Sequence, residues 1–582
     1  MADYQNPQQE PGSEKRLLLI FLISFIFMLL AQPLLKKYFP TPPPPQQQSS
    51  QPAQTSPPPP PGAKSAAPSP TAAPVVTKQA SGESDTVIEN SLYRITFTNR
   101  GAQVKSWILK KFDNDAENGP LDLVNPANAT QFGYPLSLWM YDEELRGRVN
   151  SALYVASRDG NQLTFEYADQ DLSVRKVFKF DDTYVTKIEA SVTYKGTPKE
   201  ALPAWPAGFG DQTSPAFYAA SVLAYQYNKN IERVLPRCGF SLLSKCNQVI
   251  GGATMPGPFH WAGPSDQYFA AVFIPDDPSA VSMVTLNHNI QIPKTTDSKE
   301  TVPVDVLGAA VGNLHGPTSV RLFAGPKELQ VLQKVSVPGV SDNDLNGLVD
   351  FGWWGLISKP LFLWLKWTYF HIVPNWGWAI ILQTIILSLA LMPLRITQMK
   401  SMLKMQRVAP QIKSIQEKYK KYSLRDPRKA GQNEEIAAVY KKEGVNPAGG
   451  CLPMLIQFPF LIAYYRMLGT ALDLRHAHFL WIHDLSAAEP FPYILPVLMV
   501  LSSLINQRMT PQAGMDPAQQ RMINIMMPLF MGFIFFRLQA GLNLYYAVSN
   551  LIMIAQQMVM NRTHLGKEMR EMMAKRARKK EK

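Results

Sequence analysis

Six stretches of this 582-residue chain are apolar and carry no charged side chain: Leu17–Leu35, Ile372–Leu394, Pro447–Tyr465, Pro490–Gln507, Met522–Phe536 and Leu538–Asn561. Runs of this kind constrain a chain more than any other feature, because a lipid interior leaves backbone polar groups no partner outside the helix itself. The first run alone, 19 residues long, spans about 28 Å as a helix. A cleaved signal peptide is the competing reading of that run, but it exceeds a usual apolar signal core and no Ala-x-Ala site follows. The mean hydropathy of −0.12 conceals these runs behind polar sequence elsewhere. Three cysteines exclude a disulfide-stapled scaffold, and the absence of a Gly-x₄-Gly-Lys-Ser/Thr loop removes the sign of an ATP-driven machine.

The polar sequence divides in two. Residues 40–74 hold 14 prolines in 35 positions, a composition that favours extended polyproline II and reads as a semi-rigid tether. From residue 84 to about 345 short alternating runs appear, among them Leu92–Thr98, Gln162–Tyr167 and Val174–Phe180, bounded by turn clusters such as Asn99-Arg100-Gly101 and Asp159-Gly160. Period-2 alternation predicts an antiparallel β-sandwich. Phe351–Phe370, rich in Trp and Tyr with Lys359 and Lys366, suits a helix lying in the membrane interface. The domains are therefore drawn as a transmembrane anchor (1–37), a Pro-rich linker (38–83), a β-sandwich (84–348), an interfacial amphipathic helix (349–371), a core of five spans (372–565) and a basic tail (566–582).

Charge placement orients the chain. The 396–446 loop carries 12 basic and five acidic residues and the segment from Asn561 nine basic and three acidic, so these two segments hold +7 and +6 of the net +13. Both are expected in the cytoplasm, which puts the sandwich outside it. Ile412, Ile415, Tyr419 and Tyr422, answered by Ile436, Val439 and Tyr440, predict a helical hairpin across 396–446 with a thin apolar seam. Its charges (Lys413, Lys418, Lys420, Lys421, Arg425, Arg428 and Lys429) and those of the tail (Arg576, Arg578, Lys579 and Lys580) suit docking to ribosomal RNA or anionic lipid. Cys238 and Cys246, in the outer domain, fit either one disulfide or two buried thiols.

Polar residues inside the spans are costly and so informative. Thr384, Ser388 and Arg395 fall on one helix face, Gln457 sits between Pro453 and Pro459, and Asn543, Tyr546 and Asn550 recur at i, i+3 and i+7. They line either a water-filled cavity or interhelical hydrogen bonds. His476, His478 and His483 have no metal-ligand spacing, so no metal is expected, nor any catalytic group or cofactor.

Several motifs together resemble YidC-type membrane protein insertases: Asn446-Pro447-Ala448-Gly449-Gly450-Cys451 with Gln457 and Pro459; Trp481-Ile482-His483-Asp484-Leu485-Ser486; Gly541-Leu542, Leu544-Tyr545-Tyr546 and Ser549-Asn550; and Asn375-Trp376-Gly377. The whole chain is similar to the Gram-negative branch of the Oxa/Alb superfamily. That resemblance implies a multi-domain inner-membrane protein of six transmembrane α-helices, with a large periplasmic β-supersandwich similar to galactose mutarotase and a cytoplasmic helical hairpin. It implies insertion and folding of nascent membrane proteins, alone or with the Sec translocon and its accessory subunits. Ribosome, signal recognition particle and its receptor follow as partners. It also implies a hydrophilic intramembrane groove, with Thr384, Gln457 and Tyr546 in it. The family's groove usually carries an arginine where this chain has Ser388; Arg395, on the same face, is expected to supply that charge. A secondary transporter or channel using the same polar stripes is the rival reading, although no internal repeat and no acid within the spans supports it. A carbohydrate-active enzyme is a weaker rival, since the sequence locates no sugar cleft.

Overall fold

The computed structural model describes residues 77–206, 209–211, 222–228, 230–235, 251–294, 298–339, 344–352, 354–419, 430–444, 452–509, 517–563 and 567. The first apolar run, the Pro-rich tether, Cys238, Cys246, Lys420, Lys421, Arg425, Arg428, Lys429 and the four tail cations lie outside the described residues.

Among those residues the N-terminal half forms three sheets whose strands all pair antiparallel. A meander of Asp85–Glu89, Tyr93–Thr98, Gln103–Asp113 and Pro120–Asp122 forms the first. A ten-stranded sheet forms the second, with Thr318–Pro326 at its centre between Phe269–Pro275 and Val185–Tyr194. Five strands, led by the long hairpin Ser282–Pro293 and Thr301–Gly312, form the third. The alternation read from the sequence is realised: Tyr93–Thr98, Gln162–Ala168 and Leu172–Phe180 are strands, and the Asp159-Gly160 turn pairs Asp159 with Gln162. Inward-facing Trp107, Phe97, Phe165, Phe178 and Trp205 are wholly buried, and such aromatics dominate the energetics of a core.

One inward position breaks the apolar rule. Lys176, on the buried face of Leu172–Phe180, donates to Gly101 O at 2.7 Å, Leu136 O at 2.9 Å and Ala102 O at 3.1 Å. The turn at Gly101 and Ala102, both with positive φ, aims two of those carbonyls inward. A Cβ on Gly101 would collide with Asn150 O, so only glycine fits.

The C-terminal half is helical: α1 Gly355–His371, α2 Trp376–Ala390, α3 Met392–Lys418, α4 Ala430–Lys442, α5 Leu452–Thr470, α6 Ile494–Met509, α7 Pro517–Phe535 and α8 Ala540–Arg562. Each apolar run from Ile372 onward contributes one main helix, with shifted bounds. Asn375 N-caps α2 by accepting from Trp378 N at 3.2 Å, as the Asn-Trp-Gly opening suggests. Among the described residues no helix is long and apolar enough to cross a membrane. The run 372–394, read as one span, yields an α2 of only 15 residues, about 22 Å, which stops at Ala390 before α3 begins. The hairpin's first arm accordingly starts at Met392 rather than 396. The longer α5 contains Arg466, and α7 opens on Gln519, Gln520 and Arg521.

One contiguous set of buried side chains runs from the sandwich into the helices through Val337, Leu345, Leu348, Leu361 and Phe362. Ionic contacts lock the joint. Arg475, its side chain only 5% exposed, donates to Asp115 Oδ1 at 2.6 and 2.9 Å and to Asp113 O at 2.7 Å. Lys366 of α1 bridges Asp473 at 3.0 Å and Glu328 at 3.3 Å, and Gln267 donates to Gly469 O at 2.7 Å.

Burial pushes the Lys176 ammonium down to about 7. Between pH 7 and its ordinary value near 10.5 the unfolded chain holds a proton that the folded one sheds, so this group makes stability rise with pH across that window. Lys176→Met strands three buried carbonyls and is expected to cost about 2 kcal/mol or more near neutral pH. The difference between wild-type and variant unfolding free energies, measured from pH 7 to 10, should widen as pH rises.

Candidate functional site

The helices α2, α3, α5 and α8 bring polar side chains together in the apolar half. Thr384 and Ser388 are buried, 1% and 7% exposed. Thr384 returns its hydroxyl to Ile380 O at 2.6 Å, the bond by which a helical threonine hides its own polarity. The Ser388 carbonyl accepts from Gln556 of α8 at 3.3 Å. Between these helices lies a group the sequence reading passed over. Gln383, wholly buried, donates to Leu361 O of α1 at 3.0 Å and accepts from the Tyr464 hydroxyl of α5 at 2.8 Å. Tyr464 stacks on Tyr545 of α8, ring centroids 4.0 Å apart and planes 12° from parallel. A thread Leu361–Gln383–Tyr464–Tyr545 therefore crosses the four helices α1, α2, α5 and α8. The signal was available: Gln383 is an uncharged polar residue in an otherwise apolar run, as costly there as Thr384.

The stripe on α8 faces elsewhere. Asn550 donates to Ser503 Oγ at 2.8 Å and Ser502 Oγ at 3.2 Å on α6. Asn543 donates to Phe535 O at 3.1 Å at the end of α7, while its own carbonyl oxygen is buried without a partner among the described residues. Tyr546, partly buried, packs on Phe535 with centroids 5.0 Å apart. Thus Asn543, Tyr546 and Asn550 meet α6 and α7, whereas Thr384 bonds back to its own helix and Ser388 meets Gln556 of α8. Gln457 lies within α5, and its side chain is outside the described residues.

The hairpin packs through Val408 and Ile412 against Ile436, Val439 and Tyr440. Lys413 and Lys418 are well exposed, at 70% and 62%. Each already has an acid: Lys413 reaches Glu417 at 3.5 Å and Lys418 reaches Glu435 at 2.6 Å. The hydrogen bond from Lys418, followed by that from Tyr419, holds the Glu435 carboxyl below its ordinary value. Between α5 and α6 the His478 and His483 rings meet edge to face at 5.7 Å, and His476 lies 3.5 Å from Asp115.

Residues 85–364 match the family model of the YidC periplasmic domain, and residues 367–568 that of the 60Kd inner membrane protein. The chain is 30% identical over 506 residues to the membrane protein insertase YidC of Geobacter sp. (strain M21), covering 82% of this chain and 86% of that one. It is 32% identical over 495 residues to the namesake from Citrifermentans bemidjiense, covering 82% and 85%. A crystal structure of an active YidC insertase with its first transmembrane domain resolved is 18% identical, covers 84% of this chain and 95% of that one, and aligns with a TM-score of 0.34. The chain belongs to the YidC family of membrane protein insertases, inner-membrane proteins with a periplasmic domain.

If Gln383 and Tyr464 act as one unit, Gln383→Leu and Tyr464→Phe should each destabilise the protein by about 1–2 kcal/mol. The double variant should cost less than the sum, because removing both partners leaves no orphan. A double-mutant cycle on thermal unfolding in detergent measures the coupling.

Proposed function

We propose that this protein inserts and folds inner-membrane proteins by giving short polar segments a hydrophilic path partway through the bilayer, without nucleotide hydrolysis. The observation that carries the reading is membership of the insertase family along both halves of the chain. Six spans, with both termini and the basic hairpin in the cytoplasm and the sandwich in the periplasm, follow from the distribution of lysine and arginine. The hairpin and tail cations dock the ribosome and anionic lipid. The Sec translocon, its accessory subunits, and the signal recognition particle with its receptor are the further partners.

Energetics support a passive mechanism. A client span of about 20 apolar residues gains some 6–12 kcal/mol at roughly 0.3–0.6 per residue. Each charge moved across the bilayer centre costs about 2.5–3.5 kcal/mol or more. A tail bearing one or two charges therefore crosses downhill once its barrier is lowered, and a heavily charged one does not. Thr384, Ser388, Gln457, Asn543, Tyr546 and Asn550 lower that barrier, with Arg395 the cation that draws acidic client residues in. Arg395 takes the part of the arginine that Ser388 replaces, since helical side chains lean toward the N-terminus and so toward the membrane interior.

Photocrosslinkers at positions 384 and 388 should capture a ribosome-stalled client while its first span is exposed and lose it once that span is inserted. No capture from a docked ribosome would turn the polar residues into a solute path or structural glue. Arg395→Ala should lower insertion of a client with an acidic tail about tenfold, the worth of one charge-assisted hydrogen bond, and Ser388→Arg in the same chain should restore it. Full activity of Arg395→Ala removes the arginine from the mechanism.

A further inference from the structure

The connector from α5 to α6 turns its largest apolar side chains outward. Leu480 is 70% exposed, Trp481 43% and Phe491 84%, and apolar surface gathered in this way marks a place that lipid or a partner covers. The local backbone enforces the display. Phe479 and Ile482 exchange backbone hydrogen bonds, each of 2.9 Å, so Leu480 and Trp481 form the tip of a two-residue turn. Leu480 adopts a φ of 53°, which sterics disfavour for a bulky side chain. The base of the turn is sunk in the helices. Phe479 and Ile482 are buried, and Phe479 meets Trp378 of α2 edge to face at 5.6 Å. A Cβ on Gly377 would collide with the Phe479 ring, and Asn375 donates to His478 O at 3.3 Å. The tip itself asks for no polar partner. The Trp481 indole donates to Glu489 Oε1 at 2.7 Å, which satisfies the one polar atom of that side chain. The same buried carboxylate accepts from Ile494 N at 3.0 Å and Leu495 N at 2.8 Å, at the start of α6.

We propose that Leu480, Trp481 and Phe491 form a wedge that enters the outer leaflet of the bilayer, so that this connector lodges among phospholipid acyl chains instead of standing in the periplasm. This rests on the proposed reading of α6 as a membrane span. Continuity selects lipid as the occupant. Phe491 meets Tyr493 edge to face at 6.1 Å, and Tyr493 meets Phe536, just past α7, at 5.3 Å. From there the exposed apolar row runs on down α6 through Ile494, Val497, Leu501 and Ile505, which share one face at helical spacing. One row presented to one phase needs no second partner at its end. A protein interface rims its apolar centre with paired polar groups, whereas acyl chains take apolar surface alone. The nearest exposed polar groups stand on the flank toward the sandwich: His478 lies 4.0 Å from Glu117 and meets the His483 ring. Tryptophan and tyrosine concentrate at the depth where headgroups give way to hydrocarbon, and Trp481 and Tyr493 would both sit there.

The test uses the full chain in vesicles of phosphatidylethanolamine and phosphatidylglycerol, with a genetically encoded diazirine side chain at position 480 or 491 and mass spectrometry of the adducts. Position 501 on the exposed face of α6 serves as the reference for lipid, and position 299, exposed on the sandwich, as the reference for water. Phospholipid adducts at 480 and 491 should match those at 501 in yield and exceed those at 299 several-fold. Lipid at 501 with only solvent products at 480 and 491 would overturn the wedge while leaving α6 a span. Lipid at none of the three would overturn the span reading, and the wedge with it. Peptide adducts at 480 or 491, whether from the apolar run 17–35, a second copy or another protein, would assign the tip to a protein partner and equally overturn the proposal.

Discussion

Arg475 reaches from the helical half into the sandwich and spends its guanidinium on Asp115 and the Asp113 carbonyl, with Asp211 3.6 Å away and the Phe269 ring beneath it. Removing one member of such a buried ionic set costs about 3–5 kcal/mol, because the others are left charged and dry. The set joins segments distant in sequence, as does the Lys366 bridge to Glu328 and Asp473, and one contiguous buried core includes residues of both halves. The two halves therefore share one packed interior, and the thread through α1, α2, α5 and α8 is positioned from the sandwich as well as from the helices. Arg475 also explains why His476 adopts a positive φ: the chain turns sharply there to bring both residues onto Asp115.

Legibility from sequence followed the range of the physics involved. Alternation in Tyr93–Thr98 and Leu172–Phe180 is local, and so were the strands. The Asn375 cap and the hairpin seam are local as well. Lys176 was legible only as one polar residue in an alternating run, because its three acceptors come from a turn 75 residues away and from Leu136. The thread failed to show for the same reason. Gln383 stands beside Thr384 in sequence, yet its partners are a carbonyl on α1 and a hydroxyl on α5, and no periodicity in α2 encodes them. Helix ends were misjudged where apolar composition continues past a break: nothing in the hydropathy of 372–394 marks Ala390 as a terminus, whereas Pro393 three residues later does.

The two faces of α8 divide the polar residues by what they satisfy. Asn543 and Asn550 give their amide protons to α7 and α6, so they hold helices together whatever else they do. Interhelical bonds of this type average about 0.6 kcal/mol each. Their worth lies in fixing the rotation of α8, which in turn aims Tyr545 at Tyr464 and presents Gln556 to Ser388.

The hairpin is built on a different scale. Among the described residues, two buried apolar side chains, Val408 and Ile412, with four partly buried partners are far less than the interior that unites sandwich and helices. Opening free energy across a protein follows the apolar contacts each region would lose. The arm formed by α3 and α4 is thus a separate cooperative unit: its amide protons exchange with solvent through an opening much cheaper than global unfolding. It yields and re-forms while the body behind it stays closed.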